Sequence, residues 1–204
     1  TALVLIPVFF ALSYIAGTRA IDILYTIIAG ALCAIPGYFA LKPYQQERIK
    51  VFLNPEHDPL GVGYQSIQSK IAVGSGGLMG KGWLKGTQTQ LDFLPERHTD
   101  FIFSVIGEEW GFLGTILVIF LFAVLVVMAF KIANESRDEK GKLVASGLGV
   151  LFLVHLFINA GMTVGIMPIT GLPLPFVSYG GSSLITMLVA VGLLQSIYSR
   201  RFMF

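Results

Sequence analysis

Runs of about twenty apolar residues constrain this chain more than any other feature. A helix of that length crosses the ~30 Å hydrocarbon core of a bilayer. Such runs occupy residues 2–17, 21–41, 101–130, 143–164 and 181–198, the first slightly short. Inside a bilayer every backbone polar group must bond within its own segment, so each run is expected to be helical. The expected fold is an all-α polytopic membrane protein with five transmembrane helices. Composition agrees, because 13% of the residues are charged against roughly 25% in soluble domains. A net charge of +2 argues against a nucleic-acid partner. The one cysteine, Cys33, can form neither an internal disulfide nor a thiolate metal site. The chain opens on Thr1 directly in apolar sequence, with no basic region before it. It reads as part of a longer protein rather than as a signal peptide.

Basic residues set the expected orientation. Loop 131–142 carries Lys131, Arg137, Lys140 and Lys142, the tail carries Arg200 and Arg201, and loop 165–178 carries no Lys or Arg. Loop 131–142 and the C-terminus are therefore expected in the cytoplasm, and the large loop 42–100 outside. Loops of that length are usually functional or disordered, and Phe52, Tyr64, Trp83 and Phe93 argue for order here. Tyr64, Ile67 and Ile71 fall on one helical face. That face fits either the outer membrane interface or a protein surface.

The stretch "FLPERHTDFIFSVIGEEWGF", residues 93–112, places charges at the mouth of the third run. Counting back from Lys131 puts the outer edge of the hydrocarbon near Gly111. Glu108 and Glu109 then lie at that edge, and Asp100 roughly 12 Å further out on a straight helix. Lipid headgroups sit at this depth. Thr99 or Asp100 could be a helix N-cap, and Asp100 could equally be a general base, since a helix N-terminus favours the carboxylate form. Glu108 lies about 80° around the helix from Asp100 and Glu109 about 180°. Both cannot easily face one cavity, so one is expected to pair with a cation or a helix end.

Two further stretches carry chemistry. "GSGGLMGKGWLKGTQTQ", residues 74–90, fits either a surface turn cluster or a backbone cradle for phosphate. It is not a nucleotide-binding P-loop, because Gly82 stands where Ser or Thr is required. Arg48, Lys50, Lys81, Lys85 and Arg97 form an outward set suited to a pyrophosphate. "INAGMTVGIMPITGLPLPFVSYGGSS", residues 158–183, joins the last two runs. Gly161 and Gly165 have the spacing of a close helix contact. Pro168, Pro173 and Pro175 forbid a regular helix across the link. His155 and Asn159, four apart, are expected to form a structural hydrogen-bonded pair.

"FLNPEHDPLGVGYQSIQSKIAVGSGGLMGKGW", "LPERHTDFIFSVIGEE" and "GLPLPFVSYGGSS" together closely resemble the SEDS family (shape, elongation, division and sporulation) of bacterial membrane glycosyltransferases. The resemblance covers essentially all 204 residues. Arg97 in "LPERHTDF" aligns the chain with the elongation branch, since the division branch usually has Ala there. The family fold has ten helices, and this chain resembles its second half, spans six to ten, as one domain over residues 1–204 that includes the loop at about 42–100.

The resemblance implies a peptidoglycan glycosyltransferase of the bacterial inner (cytoplasmic) membrane, polymerising lipid II into β-1,4 glycan strands for cell elongation and rod shape. A lipid II flippase and a non-catalytic scaffold for a transpeptidase are the alternatives. It assigns catalysis to Asp100, the aspartate of "HTDF". One base fits the reaction, because the acceptor hydroxyl must lose a proton whereas a pyrophosphate leaves as an anion. Arg48, Lys81 and Arg97 are expected at that pyrophosphate. Lys85, Glu96, His98, Glu108 and Ser178 complete the expected substrate-binding set. No residue is assigned to a metal, although a divalent cation such as Mg or Mn could accompany the pyrophosphate. Expected partners are lipid II and the growing strand, a class B penicillin-binding protein, other elongation-complex membrane proteins and membrane lipid, with no nucleic acid.

Overall fold

The computed structural model describes residues 4–54, 61–91, 93, 94, 96 and 98–200, and no strand occurs among them. The helices are α1 (Leu5–Ile15), α2 (Ala20–Ala40), α3 (Pro43–Leu53), α4 (Val62–Ser75), the single turn α5 (Thr87–Gln90), α6 (Ile102–Glu135), α7 (Glu139–Val164) and α8 (Gly181–Arg200). Three of them, α6, α7 and α8, are long and apolar enough to cross a membrane. α1 and the stretch Ala20–Ala34 of α2 are shorter apolar helices, and α2 carries Pro36 in its interior.

Small residues draw the three long helices together. Ala129, Ala133, Ala145 and Ala190 are buried with Val126, Phe152, Met187 and Leu194. A Cβ added to Gly149 would stand 3.1 Å from that of Ala129. Lipid is as apolar as leucine, so this close fit, rather than expulsion from water, holds such helices in contact. Val4, just before α1, joins a second cluster with Val150, Val154, Ile158 and Leu172.

The turn between α6 and α7 is shorter than the twelve-residue loop expected at 131–142. α6 runs on to Glu135, aided by the i,i+4 pair Lys131–Glu135 at 4.0 Å. α7 restarts at Glu139, where the Asp138 side chain accepts from the backbone N–H groups of Lys140 and Gly141. The glycine pair of α7 also differs from expectation. Gly165 is the left-handed C-cap, at φ 80°, and Gly161 accepts from the N–H groups of Ile166 and Met167. These glycines end the helix instead of forming a helix–helix seam.

α6 is not straight. Gly111 sits at φ 65°, ψ −158°, and breaks it in two. Residues 112–135 still span about 36 Å, enough for the hydrocarbon core. The break falls at Gly111, the residue to which the count back from Lys131 leads, and Glu108 and Glu109 lie on the segment N-terminal to it. α4 packs on protein: its Ser69 is fully buried and bonds Ser104 of α6 and the Thr163 carbonyl of α7, each at 2.8 Å.

Candidate functional site

Asp100 closes a tight turn that leads into α6. Glu96 adopts a left-handed backbone, φ 55°, and its carbonyl accepts from the N–H groups of Thr99, Asp100 and Phe101. Neither expected cap operates. Phe101 is the N-cap residue, with no side-chain cap bond, and Thr99 Oγ1 donates to Glu96 instead.

Three successive carbonyls of this turn are held by the α7–α8 segment. His98 O accepts from Tyr179 N at 2.8 Å, Thr99 O from Ser178 Oγ at 2.6 Å, and Asp100 O from Asn159 Nδ2 at 2.9 Å. Asn159 also donates to Leu172 O at 2.7 Å, and His155 Nδ1 faces Pro173 O at 3.3 Å. So His155 and Asn159 do not pair with each other. Each ties the proline-rich link to the helices, because prolines remove N–H donors and leave carbonyls to be satisfied.

The backbone is thus fixed while the Asp100 carboxylate takes no hydrogen bond from any described residue. It is half-buried and faces Gly171, where a Cβ would approach Oδ2 to 3.2 Å. Gly171 has φ 67°, so glycine is favoured there on both counts. Burial raises the Asp100 pKa above its ordinary value, Glu96 raises it further, and Arg48 opposes them. Arg48 reaches the same place from α3, donating to Ile169 O of the link at 3.1 Å.

A second cluster forms about 12 Å along α6. The Glu108 carboxylate is fully buried and accepts from Lys81 Nζ at 2.9 Å, Thr87 Oγ1 at 3.2 Å, Gln88 N at 2.9 Å and Thr89 N at 3.1 Å. It therefore meets both a cation and a helix end. The glycine-rich loop makes this possible by entering the break at Gly111. Lys81 N and Gly82 N donate to the carbonyls of Glu108 and Glu109, and Phe112 N and Leu113 N donate to those of Gly77 and Leu78, at 2.9–3.2 Å. A Cβ at Gly76 or Gly80 would collide with the α6 backbone. The glycines serve this backbone contact, not an open phosphate cradle.

Of the expected site residues, the structure gathers Asp100, Glu96, His98, Ser178 and Arg48 around the first turn, and Glu108 with Lys81 at the second cluster. Lys85 is exposed on the glycine loop beside Gly82, and Arg97 lies outside the described residues. Ser178 and Lys81 already hold protein partners. Asn159 and Gly171 belong to the site and were not singled out for it. Their signal was present in the polar residue on an apolar helix and in the glycine between prolines. Among the described residues no three His, Cys, Asp or Glu side chains cluster to hold a metal. Asp100 and Glu96 are the carboxylates at this turn that could hold such an ion together with substrate phosphates, which is how Mg is usually bound.

Residues 1–202 match the family FTSW_RODA_SPOVE, described as "Cell cycle protein". The chain is 48% identical over 175 residues to "Peptidoglycan glycosyltransferase MrdB" of Escherichia coli (strain K12), covering 86% of this chain and 47% of that protein. It is 52% identical over 165 residues to "Peptidoglycan glycosyltransferase RodA" of Treponema pallidum (strain Nichols), covering 81% and 38%. It thus spans about half the length of the curated relatives it matches, or less. A chain from a solved peptidoglycan synthase complex, described for its coordination of polymerization and crosslinking, superposes with a TM-score of 0.79 at 36% identity, covering 98% of this chain and 55% of that one. The crystal structure of Thermus thermophilus rod shape determining protein RodA gives a TM-score of 0.61 at 29% identity, covering 98% and 49%.

Proposed function

This chain belongs to the FtsW/RodA/SpoVE family, the SEDS proteins, and from that premise we propose that it supplies the catalytic face of a peptidoglycan glycosyltransferase that polymerises lipid II for cell elongation. The observation that carries the reading is Asp100 itself. The turn that carries it is fixed by three hydrogen bonds, its carboxylate is unoccupied by any described donor, and it stands just before a helix long and apolar enough to cross a membrane. A base needs this combination of fixed position and free lone pairs.

In the proposed reaction Asp100 takes the proton of the acceptor 4-hydroxyl as that oxygen attacks the anomeric carbon of the donor. The carbon–oxygen bond to the lipid pyrophosphate breaks, and the leaving group departs as an anion with inversion at that carbon. Arg48, whose charge already acts on Asp100, faces the developing negative charge, and Arg97, Lys81 and Lys85 are further candidates for it. Glu96, His98, Glu108 and Ser178 would shape the substrate site. A divalent ion, if used, would be held largely by the pyrophosphate, and no step is assigned to it. By analogy with the synthase complex, the partner would be a class B penicillin-binding transpeptidase. The test is glycan-chain formation from lipid II by the purified full-length protein; absence of product from intact, partner-supplied protein would favour transport or scaffolding instead.

The acid limb of the pH–rate profile should lie above the ~3.9 of a free aspartate, because Asp100 must be ionised to act and its pKa is raised. The neighbours fix the signs. Glu96→Gln removes a negative charge that disfavours ionisation, so the limb should move to lower pH. Arg48→Gln removes a stabilising cation, so it should move to higher pH. Opposite shifts would place the titrating base elsewhere.

We also propose that the α6–α7 turn and the C-terminus are cytoplasmic and that Asp100 faces outward, in a five-span arrangement. Arg137, Lys140 and Arg200 on one side, against the link 165–178 free of Lys and Arg, support it. A cysteine at Ser136 should resist an impermeant thiol reagent in intact cells, and one at exposed Tyr179 should react. The reverse pattern would invert the topology.

A further inference from the structure

One carboxylate on α6 is used by neither cluster. Glu109 is only 5% exposed, and no cation or donor among the described residues reaches its side-chain oxygens. Its backbone carbonyl is occupied by Gly82 N, but its carboxylate opens into a groove of about 390 Å³. Trp83, Trp110, Met79, Leu113 and Leu117 line that groove, and among the described residues Glu109 is the one ionisable side chain in it. The two indoles meet edge to face, with centroids 6.0 Å apart. Gly114 keeps the floor open, since a Cβ there would collide with Trp110.

Among the described residues no cation meets the Glu109 side chain, and a carboxylate in an apolar groove is stabilised by one. Indole rings favour an ammonium group, and tryptophans gather at the headgroup level of membranes. From Glu109 the groove runs along α6 past Gly114 to Leu117, about two turns further into the hydrocarbon. It is charged and aromatic at its outer end and apolar below. That polarity matches an amphiphile with an ammonium head and a hydrocarbon tail. A lipid-linked pyrophosphate would be repelled by Glu109, which separates this groove from the reaction. Lys85, its stem beside Gly82, places a cation near the rim for a headgroup phosphate.

We propose that this groove binds an amine-headed phospholipid of the phosphatidylethanolamine class, its ammonium on Glu109 beside Trp83 and Trp110 and one acyl chain along Gly114 and Leu117. The proposal does not depend on the glycosyltransferase reading. Its test equilibrates purified full-length protein with micelles holding equal phosphatidylethanolamine and phosphatidylglycerol, then counts retained lipids by native mass spectrometry. Wild type should retain phosphatidylethanolamine preferentially. Glu109→Gln, nearly isosteric, should lose about ten- to hundredfold of that retention, as expected for one charge-assisted contact. Trp83→Leu changes an exposed residue and should also weaken retention, which keeps the test open if the Glu109 variant fails to fold. Equal retention of both lipids by wild type would overturn the proposal. So would undiminished phosphatidylethanolamine in the folded variants, or cross-linking of Glu109 to a lysine of another polypeptide in place of lipid.

Discussion

Asp100→Asn is expected to lower the rate of lipid II polymerisation by roughly 10²–10⁴-fold, the usual contribution of a positioned general base. That is roughly 3–5 kcal/mol of barrier. Stability should change little, because the carboxylate accepts no hydrogen bond from a described residue and caps no helix. Asparagine is close to isosteric, and the contacts that hold the turn run through backbone carbonyls that the substitution leaves in place. Asp100→Glu retains the proton chemistry but pushes the carboxylate outward by one methylene. Gly171 offers little room on the Oδ2 side, so this variant should also be impaired, as misplacement by about 1 Å commonly costs 10²-fold. The measurement is glycan-chain length and yield from purified full-length variants with matched thermal stability. Near wild-type polymerisation by Asp100→Asn would remove Asp100 as the base. A residue outside this chain would then have to be considered, since Glu108 is already enclosed by four donors and Glu109 lines a separate groove.

The spanning helices were legible because lipid imposes a length and an internal hydrogen-bond requirement that apolar runs display directly. α6 and α7 appear where those runs lie, and α6 breaks at Gly111, where the count of hydrocarbon thickness had placed the membrane edge. The break itself was not legible. A glycine within an apolar run is compatible with a continuous helix, and only the incoming loop, with glycines at positions 76, 77 and 80, supplies the alternative hydrogen bonds that a broken helix needs. Asp100 could be read from its position at the mouth of a span and from the resemblance of "HTDF". Its fixed geometry could not, because the three donors that hold the turn come from positions 159, 178 and 179, each more than fifty residues away in sequence. The cap reading illustrates the same limit. Thr99 is an excellent N-cap residue by type, but the left-handed Glu96 turns the chain so that its hydroxyl meets the Glu96 carbonyl and carboxylate instead.

Glu108→Ala should be the most destabilising single change in this region, by about 3–5 kcal/mol, the range for removing one partner of a buried ion pair. The loss exceeds one salt bridge, since the Gln88 and Thr89 amides also lose their acceptor, and each buried unsatisfied donor costs about 1–3 kcal/mol. Lys81→Met should cost less, about 1.5–3 kcal/mol for one charged hydrogen bond. The carboxylate keeps three donors in that variant, and the lysine side chain is 26% exposed. Combining the two should not restore stability, because the orphaned amides remain. Hydrogen exchange of residues 80–90 in the full-length protein resolves these outcomes, with protection lost most in Glu108→Ala. The same variants decide what Lys81 does. If it chiefly anchors the loop, Lys81→Met should open residues 80–90 and leave the lipid II concentration for half-maximal rate unchanged in the fraction that stays folded. If it contacts the pyrophosphate as well, that concentration should rise about ten- to hundredfold while exchange stays near wild type. The Glu108 pairing at 2.9 Å favours the first outcome, and a rise in that concentration without loss of protection would reverse the assignment.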